Sequence, residues 1–122
     1  MVFKNILVLV LLFWSNLTLS NNYTSQDLLV FIYDNVTVDA PEGWQHIIAK
    51  YSVTTEDGRT QKQSSYQAVV ADNKLIEFQT NNVFGPANAA HELMKLNGKD
   101  GNTPEVVTVF IRSDGAVAYE FE

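Results

Sequence analysis

The stretch Val106-Val107-Thr108-Val109-Phe110-Ile111-Arg112-Ser113-Asp114-Gly115-Ala116-Val117-Ala118-Tyr119-Glu120-Phe121-Glu122 decides the fold. Two β-rich runs flank an Asp-Gly pair, the strongest short-range hairpin signal in a sequence. A two-residue turn at Asp114-Gly115 would set Val109 opposite Glu120 and Val107 opposite Glu122, placing carboxylates on the face that carries the aliphatic side chains. A three-residue loop, Ser113-Asp114-Gly115 with Gly115 left-handed in a bulge, instead pairs Ile111 with Val117, Val109 with Tyr119 and Val107 with Phe121. Every inward pair is then apolar, and burial selects this register. The opposite face carries Val106, Thr108, Phe110, Arg112, Ala118, Glu120 and Glu122, a mixed row in which Phe110 stands out.

Upstream of the hairpin, residues 99–104 read as a solvent loop. Before them, Pro86 suits a first helical position, Ala89, Ala90, Leu93 and Leu96 form an apolar stripe, and Asn97-Gly98 is a helix stop. Residues 46–54 alternate Ile47, Ala49, Tyr51 and Val53 against His46, Ile48, Lys50 and Ser52, the signature of a strand with one buried face. An exposed turn with a second Asp-Gly covers 55–59. A second strand follows over 63–71 and a short third over 75–79, with Ile76 and Phe78 toward the core. A helix is expected over 25–36, started by Thr24 with Asp27 three residues on in the manner of a capping box, and Pro41 forbids its continuation. The order helix, two or three strands, helix, two strands is α+β. It predicts an antiparallel sheet of four to five strands with two helices packed on one face.

At 122 residues, 46% hydrophobic and 11% aromatic, the chain has the size and core content of one domain. It has no cysteine, which excludes disulfides and thiolate zinc sites. A net charge of -6 repels phosphate backbones and anionic lipid, so nucleic acid is not an expected partner and a basic protein is.

The first 20 residues pair a lone basic residue, Lys4, with an apolar run over 6–14 and small residues at Thr18 and Ser20. This is a signal-peptide pattern with a cut after Ser20, leaving 21–122 as the domain. The apolar run is shorter than the roughly 20 residues needed to cross a bilayer, so no stable membrane insertion is expected after processing. Its loss takes away Lys4 and no acid, moving the net charge from -6 to -7. The competing reading is an N-terminal helix or strand of the domain. A periplasmic or secreted location follows from the first reading, and a cytoplasmic one if the start lies further along.

No reaction is written in the chain. His46 and His91 are the two histidines, and His91-Glu92 lacks the second histidine of a zinc helix. No serine sits in a nucleophile elbow, no Gly-rich phosphate loop follows a strand, and no cofactor is implied. The outward sheet face is more informative. With helices on the inner face, His46, Ile48, Lys50, Gln67, Val69, Phe110, Arg112 and Glu120 are left on the other. Aromatic and aliphatic groups among charges have the make-up of an interface core with a polar rim. Glu56 and Asp57, in the first Asp-Gly turn, are placed to steer a basic partner.

Ala40-Pro41-Glu42-Gly43-Trp44 after a helix, the strand Ile47-Ile48-Ala49-Lys50-Tyr51-Ser52-Val53, and the closing Thr108-Val109-Phe110-Ile111-Arg112-Ser113-Asp114-Gly115 with Tyr119-Glu120-Phe121-Glu122 resemble the YezG-like immunity proteins, over roughly 28–122. These are small acidic bacterial partners of secreted antibacterial toxins. The resemblance implies tight stoichiometric binding that neutralises a cognate toxin, without turnover, cofactor or metal. The leader departs from that pattern and would place the encounter in the periplasm or at the envelope. The alternative from another class is a secreted or periplasmic inhibitor or structural binding module.

Overall fold

The computed structural model describes the backbone of residues 5–9, and residues 23–98 and 102–122 in full. Of the leader expected over 1–20, residues 1–4 and 10–20 lie outside the described residues, as do 21–22 and the loop tip 99–101. Two helices, α1 (Ser25–Thr37) and α2 (Gly85–Leu96), lie over an antiparallel sheet. In chain order the strands are β1 (Asn5–Leu9), β2 (His46–Glu56), β3 (Arg59–Val70), β4 (Lys74–Phe78), β5 (Val106–Arg112) and β6 (Ala116–Phe121). In space the order is β1-β6-β5-β2-β3-β4. The α+β architecture expected from the sequence is the one found.

The C-terminal hairpin takes the bulged register. Ile111 faces Val117, Val109 faces Tyr119 and Val107 faces Phe121, and Gly115 has φ +94°. Asp114 completes the turn: its carboxylate accepts the Ala116 N–H at 3.0 Å and pairs with Arg112. The Ala116 amide first, and then Arg112, hold that carboxyl below its ordinary range. The other Asp-Gly turn is tighter. Glu56 faces Arg59 directly, and Asp57 and Gly58 both have positive φ, at +53° and +76°, as a primed two-residue turn requires.

Thr24 caps α1 as the capping box predicts, its hydroxyl accepting from Asp27 N–H at 3.1 Å while Asp27 accepts from Thr24 N–H at 3.0 Å. The helix buries Leu28, Leu29, Ile32, Tyr33 and Val36, and α2 buries Ala87, Ala89, Ala90, Leu93 and Met94. Both stripes press on one sheet face, where Ile47, Ala49, Tyr51, Tyr66, Ala68, Val109 and Tyr119 join a single core. Tyr51 and Tyr66 meet edge to face at 5.7 Å, and neither hydroxyl has a hydrogen-bond partner of good geometry. Burial first, and the neighbouring Tyr66 second, push the Tyr51 hydroxyl far above the ordinary tyrosine range.

Leu96 and Ile76, expected on buried stripes, are 53% and 37% exposed, and two strands also depart from expectation. β3 begins at Arg59 rather than near Gln63, because the tight turn lets polar residues extend the pairing with β2. Asn5–Leu9, inside the stretch expected to be a leader, runs along β6 with Asn5 opposite Glu120 and Leu9 opposite Ala116, making a sixth strand.

Candidate functional site

The face of the sheet turned away from both helices collects most of the sequence candidates. On β2, burial alternates, so Ile47, Ala49 and Tyr51 point into the core while His46, Ile48 and Lys50 point away from it. The pairing of β2 with β5 sets Ile48 opposite Phe110, His46 opposite Arg112 and Lys50 opposite Thr108. On the other side of β2, Ile48 faces Gln67 and His46 faces Val69. Glu120 faces Thr108 across β5 and β6. One cross-strand row therefore reads Glu77, Gln67, Ile48, Phe110 and Ala118, and the next reads Leu75, Val69, His46 and Arg112.

The row has an apolar centre and a polar surround. Ile48 is half-buried, Phe110 is 37% exposed, and Leu75 on β4 is 54% exposed. His46, Lys50 and Arg112 are exposed around them and Glu120 is half-buried. Arg112 is already engaged by Asp114, so its charge is largely matched within the protein. Among the described residues, the cation beside this row without such a match is Lys50, against Glu77 and Glu120 near the two ends of the row; Arg59, also unmatched, stands at the far tip of the β2–β3 hairpin.

Glu56 and Asp57 do not belong to this cluster. They cap the β2–β3 hairpin, ten residues along β2 from His46, roughly 33 Å away at about 3.3 Å per residue. Leu75 and Glu77 do belong, and were not among the sequence candidates. The signal for them was present: Ile76 and Phe78 share the inner-face register of Ala68 and Tyr66, so alternation puts Leu75 and Glu77 outward, although at this edge Ile76 stays 37% exposed and only Phe78 packs on the core.

The two histidines are separated by the sheet. His46 stands on the outer face and His91 on α2, which packs against the inner one. Burial, and then Lys95 and Lys62, lower the His91 pKa, which favours its neutral form. Among the described residues, no three His, Asp or Glu side chains gather in a way that could hold a metal ion. No helix among them is long and apolar enough to cross a membrane. Comparison with protein-family models, with curated proteins and with solved structures returns no match.

Proposed function

We propose that this protein works by binding another protein, through the outer sheet face, without catalysing a reaction. The observation that carries the reading is the Ile48–Phe110 pair at the centre of a face that neither helix covers, ringed by His46, Lys50, Arg112 and Glu120. Flat sheet faces with an aromatic and aliphatic centre bind through that centre, while the charged rim sets orientation and rate.

In its specific form the proposal is an immunity protein that occupies a cognate secreted toxin domain. Support for the toxin comes from the YezG-like resemblance of the strand and hairpin segments quoted above. Support for a basic partner comes from the net charge of -6 and from Glu77 and Glu120 around the face, with Glu56 and Asp57 apart at the hairpin tip, rather than from the face centre itself. An export leader over 1–20 would put this encounter outside the cytoplasm.

Titration calorimetry with any toxin domain found encoded beside this gene tests the reading. The expected result is a complex of about 1:1 stoichiometry with a Kd on the order of nanomolar, and loss of toxin activity at the equivalence point. A toxin that neither binds nor loses activity at a stoichiometric excess of this protein would sink it.

A further inference from the structure

The lower half of β3 is left open on one side, and a cleft lies beside it. β2 pairs with β3 from Arg59 onward, but β4 covers only residues 66–70, with Phe78 opposite Tyr66. Among the described residues, 59–65 therefore have a strand neighbour on one side alone. The chain leaves β3 after Phe78 because the following residues are held elsewhere. Asn81 donates to both carboxylate oxygens of Asp39, at 2.8 and 2.9 Å, and Asn82 donates to the Asn35 side chain at 3.0 Å, tying this loop to the end of α1.

The vacated edge borders a cleft of about 440 Å³, with Lys62, Ser64 and Tyr66 on the β3 side and Val83, Phe84 and Asn88 on the other. Val83 and Phe84 are 61% and 75% exposed and form an apolar lip. Lys62 Nζ donates to the neutral Asn88 Oδ1 at 2.8 Å, and no carboxylate pairs with it among the described residues. Natural sheets guard such edges with prolines, bulges or charged side chains. Here the stretch has no proline, Thr60, Gln61, Gln63, Ser64 and Ser65 are uncharged, and its charges are Arg59 at the turn and Lys62, which faces the cleft.

We propose that this edge takes up an extended segment of a partner protein, added antiparallel to β3 in line with β4, with an apolar side chain against the Phe84 lip and an acidic one on Lys62. Seven open residues match the length of an ordinary strand. Strand addition draws affinity from the main chain and specificity from pockets that receive alternate side chains, which is the division of labour this edge and cleft provide. The register fixes the order. A segment continuing the direction of β4 meets Ser64 first and Lys62 two residues later, and residues two apart share a face. The segment therefore reads apolar, any residue, acidic from N to C terminus. This site is separate from the outer face, since its cleft lies on the helix side of the sheet, and it stands or falls independently of the toxin reading.

The test is an NMR titration of the isotope-labelled full chain with the synthetic peptide Thr-Leu-Thr-Glu-Thr-Val-Thr. Saturable amide shifts are expected, confined to residues 59–66 and 79–88. Binding should weaken roughly tenfold in Lys62→Glu and return when lysine replaces the peptide's glutamate. Phe84→Ala, at an exposed position that leaves the fold intact, should weaken it by a similar factor. Absence of saturable shifts, shifts elsewhere, or equal binding by Lys62→Glu would overturn the proposal. So would concentration-dependent pairing of two copies through 59–65, which would make the edge a homotypic interface.

Discussion

The two faces of this sheet are cut from the same strands, residue by alternate residue, yet they solve different problems. On the inner face Ile47, Val109 and Val117 are fully buried under α1 and α2, and every inward cross-strand pair in the C-terminal hairpin is apolar. On the outer face the neighbouring positions, Ile48 and Phe110, pair with each other and stay within reach of solvent. The inner side chains decide whether the chain folds. The outer ones can change with little effect on folding, which leaves them available for a partner.

The contrast can be broken most forcefully from the inside. Tyr119 is buried, packs edge to face on Phe121 at 5.3 Å and faces Val109 across the hairpin. Tyr119→Ala is expected to cost about 3 kcal/mol or more in denaturant unfolding, and a near-neutral result would mean the inner face is not packed as described. Gly115→Val comes next. A β-branched residue at a φ of +94° is strained, and a loss on the order of 1 to 2 kcal/mol is expected in thermal melts where Ser113→Ala loses little. Tyr51→Phe sharpens the comparison in the other direction. It removes a buried hydroxyl without a partner, so the variant should be more stable by about 1 kcal/mol. Destabilisation instead would show that the Tyr51 and Tyr66 hydroxyls satisfy one another.

The two Asp-Gly turns explain how much of this was legible in the sequence. At Asp114-Gly115 the flanking residues alternate cleanly, so a wrong register would bury Glu120, and the loop length can be read from the cost of that error. At Asp57-Gly58 the flanks are polar on both faces. Burial then penalises no register, and the start of β3 could not be placed from pattern alone. The helix α1 was readable because Thr24 and Asp27 satisfy each other locally.

What was not legible depends on contacts distant in sequence. Nothing local says that β5 docks on β2 rather than on β4, which is what brings Phe110 to Ile48. The open edge at 59–65 is set by Asn81 reaching Asp39 and Asn82 reaching Asn35, pairings that no periodicity announces. An apolar run such as Ile6-Leu7-Val8-Leu9 suits an export leader and an edge strand equally, because both need short uncharged segments.

The most direct measurement is the binding isotherm of Phe110→Glu with the toxin domain proposed as its partner, taken beside its thermal melt. The expected result is a melting temperature within about 3 °C of the parent, because the side chain lies on the uncovered face, together with a loss of affinity of roughly a hundredfold or more. Unchanged affinity in a normally folded Phe110→Glu protein would contradict the claim that this face grips the partner.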